Sequence, residues 1–109
     1  MDLAVEVHHL VKLFPESERH NLSEQFLRSC RSVPANIAEA WRKRRYTAHF
    51  ASKISDAQAE AAETQVWIEL SSRINYINVA RFNELFNAYE VILAQLTVMS
   101  RDAHKWTKR

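Results

Sequence analysis

Residues Val79–Trp106 read VARFNELFNAYEVILAQLTVMSRDAHKW, and they set Phe82, Leu85, Tyr89, Ile92, Leu96, Met99, Ala103 and Trp106 three and four positions apart without a break. An α-helix turns once every 3.6 residues, so this alternation lines one helical face with apolar side chains from end to end. A seam that long must be covered by neighbouring helices, which is the arrangement of an antiparallel bundle.

Three earlier runs supply the neighbours. Leu3, Val7, Leu10 and Phe14 form the first, which stops at Pro15 and the polar stretch Glu16–His20. Leu22, Phe26, Cys30, Val33, Ile37 and Trp41 form the second; Phe50, Ile54, Ala57, Ala61, Thr64, Ile68, Ser71 and Ile74 form the third. Pro34 lies inside the second run, where it lacks an N–H and crowds the preceding turn. The apolar phase is unbroken across it, so a kinked but continuous helix is predicted. Thr47 is a candidate cap for the third helix and Asn78 for the fourth, with Ile77 packing on Phe82 as a hydrophobic staple. Asn75 is the best residue for a left-handed turn closing the third helix.

The chain has no glycine and only two prolines, a composition that suits helices joined by short connections rather than sheets. Its 109 residues hold one domain, 1–109, with one core. The fold predicted is all-α: an antiparallel up-and-down four-helix bundle, the second helix kinked at Pro34.

A hydrophobic fraction of 47% argues against disorder. The single cysteine, Cys30, excludes an internal disulfide and gives no reason to invoke an oxidising compartment; on the second seam it reads as a small core residue. No secretory pattern opens the chain, and no run approaches the roughly 20 apolar residues of a membrane span. A cytoplasmic protein without membrane contact is expected.

Net charge is only +2, yet it is unevenly placed. Arg42, Lys43, Arg44, Arg45 and Lys53 fall between Ala40 and Ser55 without an acid, Arg101, Lys105, Lys108 and Arg109 bias the tail, and Asp56–Ser100 is acidic. Clustered cations neutralise phosphates and release counterions, and Trp41 and Tyr46 beside the cluster could stack on bases. The structural alternative is a solvated basic end of helix two, where cations complement the helix dipole.

The apolar stripes are wider than one core needs. Val79, Phe86 and Leu93 flank the fourth seam, while Val66, Trp67, Ile68 and Leu70 point nearly all round the third helix. Self-association is expected, with Trp67, Phe86 and Leu93 at the interface; the alternative is that they only widen one stripe.

Paired-metal bundles need two Glu-x-x-His motifs, and only Glu6–Val7–His8–His9 supplies one; Glu60 and Glu63 share a face without completing the set. No metal, cofactor or catalytic residue is therefore expected. Asn36, Glu39, Glu63 and Gln65 are polar residues of which some are expected to fix the bundle's register through interhelical hydrogen bonds.

Phe14–Pro15, Leu22–Ser23–Glu24–Gln25 and above all Ser32–Val33–Pro34–Ala35–Asn36–Ile37–Ala38–Glu39 resemble the motif of the bacterial four-helix-bundle proteins encoded in intervening sequences of 23S ribosomal RNA genes, once described as S23 ribosomal proteins. Phe50, Glu63–Thr64–Gln65 and Tyr76–Ile77 extend the likeness over the whole chain. Accessory variability proteins of diversity-generating retroelements look like the same fold, a basic pentameric barrel that binds nucleic acid and a reverse transcriptase. The resemblance implies a homopentameric four-helix bundle. It also implies RNA or DNA as partner, or alternatively a protein partner such as a reverse transcriptase for which the chain is a scaffold or accessory subunit. The chain departs from the family at Asn21, Ala40 and Asn75, where glycine is usual, and at its start, where members carry extra helical turns upstream. Helix one is accordingly expected to be short, or Met1 to be an internal start.

Overall fold

A computed structural model describes residues 2–107 of the chain. Its helices are α1 (Asp2–Val11), α2 (Leu22–Arg42), α3 (Thr47–Arg73), α4 (Val79–Arg101) and a short α5 (Ala103–Thr107), with one 3₁₀ turn at Glu16–Glu18. The first four are the predicted bundle helices, and consecutive ones pack together.

Side-chain pairs fix the antiparallel register. His8 on α1 meets Arg31 on α2, and Phe14, in the connection after α1, meets Phe26 on α2. Between α2 and α3, Arg28 holds Glu60 at 3.2 Å and also bonds Glu63, while Glu39 near the other end holds Lys53 at 2.8 Å. On α3 and α4, Gln58 donates to Thr97 and Gln65 donates to the Phe86 carbonyl. Of the four polar residues, some of them expected to bridge helices, Glu39, Glu63 and Gln65 do so. Asn36 does not; its amide donates to the Ser32 carbonyl of its own helix at 2.9 Å.

The core has two parts. One gathers Val7, Phe14, Phe26, Cys30, Ile68, Leu85 and Tyr89; the other gathers Ala40, Phe50, Ile54, Ala57, Leu96 and Ala103, and Ile37 and Ile92 pack against both. Every seam residue of α3 from Phe50 to Ser71 is buried. Helix α2 is helical straight through Pro34.

The connections agree with their chemistry. Asn78 accepts a bond from the Arg81 N–H at 2.8 Å and so caps α4. Asn75 has φ 64°, the left-handed residue after α3. The cap of α3 differs from expectation: Tyr46, in extended conformation, holds that position and Thr47 is the first helical residue. The fourth helix is also shorter than its pattern. It breaks at Asp102, and α5 turns back onto α3 so that Ala103 reaches the Phe50 cluster. The side chain of Trp106, like Met1, lies outside the described residues.

Candidate nucleic-acid interface

Helix α2 ends at Arg42, and the Lys43 N–H closes it on the Glu39 and Ala40 carbonyls, each at 3.0 Å. Two further turn bonds follow, Arg44 N–H to the Trp41 carbonyl at 3.2 Å and Tyr46 N–H to the Lys43 carbonyl at 2.9 Å. This tight turn leaves Arg42, Lys43, Arg44 and Arg45 all exposed at the carbonyl end of the helix, where positive charge is favoured. None of the four forms an ion pair with a described carboxylate.

The flanking aromatics are open as well. Trp41 is 49% exposed and Tyr46 60%. The Arg44 guanidinium sits 4.7 Å over the Trp41 ring and donates to the Trp41 carbonyl at 3.0 Å, which holds the indole against a charge. Tyr46 lies 5.8 Å from the His49 ring.

Lys53 stands apart from the cluster electrically. Its ammonium is 2.8 Å from Glu39 and 3.8 Å from Asp56. The hydrogen bond that Lys53 donates to Glu39 raises the Lys53 pKa, and the same contact lowers that of Glu39. A charge so matched contributes less to an anion than the four cations of the turn, which form no ion pair with a described carboxylate. The second basic run arrives from far along the chain: α5 places its first turn at the Ala40–Phe50 end of the bundle, so Arg101 and Lys105 approach the end that carries the turn. Arg101 lies 3.5 Å from Asp102, and that hydrogen bond is the main cause that holds the carboxyl below its usual range. Lys108 and Arg109 fall outside the described residues.

A second cationic group escaped the sequence reading. Arg31 on α2 reaches His8 Nδ1 on α1 at 3.1 Å, and Lys12 follows directly after the end of α1. Lys12 foremost, then partial burial, then His9 and Arg31, hold His8 below the ordinary imidazole range, so it accepts from Arg31 as the neutral ring. The signal was present as His8 and Lys12 at i and i+4, but Arg31 joins them only through the α1–α2 register.

Glu6, half of the lone Glu-x-x-His motif, is 3.2 Å from Arg81, while Glu60 and Glu63 both face Arg28. Among the described residues no three His, Cys, Asp or Glu side chains converge as a metal cage. Trp67, Phe86 and Leu93, the expected interface residues, are half-buried against the monomer's own core: Trp67 donates its indole N–H to Glu63 at 3.2 Å, and Phe86 stacks on Phe82 at 5.2 Å. Exposed apolar side chains lie beside them, at Val66 and Leu70 on α3 and at Ile74, its C-cap. No described helix is long and apolar enough to cross a membrane.

Comparison with known proteins agrees with this architecture. The family described as 23S rRNA-intervening sequence protein matches residues 1–98. A solved structure from Bacteroides thetaiotaomicron, a protein of unknown function from the S23 ribosomal protein family, is 33% identical; the alignment covers 91% of this chain and 92% of that one, with a TM-score of 0.82. No curated protein matches.

Proposed function

Because the chain belongs to the 23S rRNA-intervening sequence protein family, we propose that it is a non-enzymatic, self-assembling helical bundle of the cytoplasm that binds RNA or DNA through the α2–α3 turn. The observation that carries this reading is the turn itself: four exposed cations that form no ion pair with a described carboxylate, flanked by two exposed aromatic rings. Helix-dipole complementarity accounts for one or two such cations, but not for four in succession beside open aromatics. Phosphate contacts of this kind position a strand without reading its sequence. Binding is therefore nonspecific in sequence, and a homopentamer repeats the turn five times around one axis.

A protein partner, as for a scaffold or accessory subunit, is the second reading. It draws on the open apolar residues Val66, Leu70 and Ile74, which suit a protein surface better than a phosphate backbone. The test begins with purification without nuclease, followed by the 260/280 nm absorbance ratio and light scattering. Affinity for a single-stranded RNA is then measured against salt. Each phosphate neutralised contributes about −0.7 to the log–log salt slope on a single strand. Changing Arg42, Lys43, Arg44 and Arg45 together to Ser is expected to flatten that slope and weaken binding at least tenfold, while the helical circular dichroism is kept. Binding that ignores both salt and the substitution excludes the turn as the interface.

A further inference from the structure

Two arginines one turn apart on α2 are held in different ways. Arg28 is matched by Glu60 and Glu63 on α3. Arg31 reaches toward α1 instead, where His8 accepts from it at 3.1 Å as a neutral ring. That contact fixes the guanidinium without cancelling its charge. Lys12 lines the same hollow, about 300 Å³ between α1 and α2. Neither Lys12 nor Arg31 forms an ion pair with a described carboxylate, and Glu16, also at the hollow, is taken by Arg19 at 3.3 Å. Cations gathered around an open hollow repel one another and make a positive field there, which an anion relieves.

This cluster shares a helical face with the basic turn. Arg31, Ala35, Ala38 and Arg42 follow one another at four, three and four residues, and all four are exposed. At roughly 1.5 Å per residue, Arg42 lies about 16 Å along the axis from Arg31. The two alanines leave the face between them low and uncharged. The α3 edge of this face carries Asp56, Glu60 and Glu63, whereas the α1 edge carries His8 and Lys12. An anionic chain leaving the turn is therefore drawn along the α1 side of α2. Glu24, exposed on the same face seven residues before Arg31, ends the path.

Resting on the turn as the nucleic-acid interface, we infer that a single strand bound there continues along the outer face of α2 and sets a further phosphate between Lys12 and Arg31. Stacked nucleotides advance about 3.4 Å each, so five or so bridge the two cationic sites. Arg31 presents a planar fork already oriented by His8, and Lys12 presents a point charge, both of which suit phosphate oxygens. Alanine side chains hold no group that reads a base edge, so the path adds affinity without adding sequence preference.

The test measures fluorescence anisotropy of a labelled ten-nucleotide oligouridine with the full chain. Lys12→Ser and Arg31→Ser should each weaken binding at least threefold, and together they should flatten the log–log salt slope by about 0.7, the share of one phosphate on a single strand. Arg73→Ser removes the same charge from a Glu69-paired site and should leave affinity unchanged. In the wild type with labelled alanine methyl groups, the Ala35 methyl signal should shift as the strand saturates; this reading stands even if a variant fails to fold. Two results would overturn both the path and the turn: no binding by the wild type, or binding that survives the joint change of Arg42, Lys43, Arg44 and Arg45 to Ser. Binding that is lost with the turn yet ignores Lys12→Ser and Arg31→Ser would overturn the path alone. So would an unmoved Ala35 methyl, or an equal loss in Arg73→Ser, since net charge would then account for the effect.

Discussion

Cys30 occupies the buried face of α2 between Phe26 and Val33, and burial pushes its thiol up to about 11 from an ordinary 9.0. Below pH 9 the thiol is protonated in both native and unfolded chains, so its contribution is constant there. Above pH 9 the unfolded chain ionises and the native one does not, so stability is lost as pH rises toward 11. At pH 10.5 the loss due to this group is about 2 kcal/mol. Denaturant melts at pH 8 and pH 10.5 should show Cys30→Ala losing that much less than wild type between the two values; equal losses would assign the effect to other groups. The same burial should leave the thiol unlabelled by a disulfide reagent at pH 8 until the chain unfolds.

The buried Thr64 and Ser29 hydroxyls lie 2.9 Å apart between α3 and α2, with the Glu60 carbonyl 2.8 Å from Thr64 and the Phe26 carbonyl 3.2 Å from Ser29. Thr64→Val keeps the shape, and Ser29 keeps its own carbonyl acceptor. A loss of about 1 kcal/mol in chemical denaturation is expected, because one net hydrogen bond goes without stranding its partner. A loss above about 3 kcal/mol would mean that the network holds more than this pair.

At the scale of the element, the end of α3 shows how a chain without glycine makes a helix stop. Asn75 takes φ 64°, its N–H bonds the Ser72 carbonyl at 3.0 Å, and the Tyr76 N–H returns to the Ser71 carbonyl at 2.8 Å. These are the two bonds of a Schellman closure, with asparagine in the position glycine usually fills. Asn75→Gly should raise stability by about 0.5–1 kcal/mol by removing the left-handed cost of a Cβ, and Asn75→Val should lower it by about 1 kcal/mol or more. Thermal melts of the two variants read opposite shifts; shifts of one sign would show that the backbone angle is not the controlling factor.

Helix number, order and this closure were legible because they depend on local period and on the few residues that tolerate a left-handed turn. The break at Asp102 was not. Ala103 stays in phase with the α4 seam and is buried, so periodicity reports that it is covered without revealing that the chain turns onto α3 to cover it. Trp41 was misread for a related reason: a 3.6-residue helix drifts against a long apolar run, and by the end of α2 the buried position has passed to Ala40. The basic turn was visible as four consecutive letters, whereas Lys53's neutralisation by Glu39 and the approach of α5 depend on tertiary register.

The whole molecule joins assembly to charge. Val66 and Leu70 on α3 and Ile74 at its C-cap, at i, i+4 and i+8, are 56%, 39% and 40% exposed, an apolar stripe alongside half-buried Trp67. Across α4, Phe86 and Leu93 are likewise only partly covered. If subunits meet on the stripe, the binding turns act together, and affinity exceeds that of one turn by the effective concentration of its neighbours. Val66→Glu with Leu70→Glu places two carboxylates on the stripe at positions open to solvent, so the fold should survive with a change under about 1 kcal/mol. Light scattering should then report a monomer, and fluorescence anisotropy with a labelled single-stranded RNA should show affinity lowered at least tenfold, although Arg42–Arg45 are untouched. A size unchanged by the two glutamates would remove the stripe from the interface. A monomer that binds as tightly as wild type would show that one turn suffices and that ring closure serves some other end.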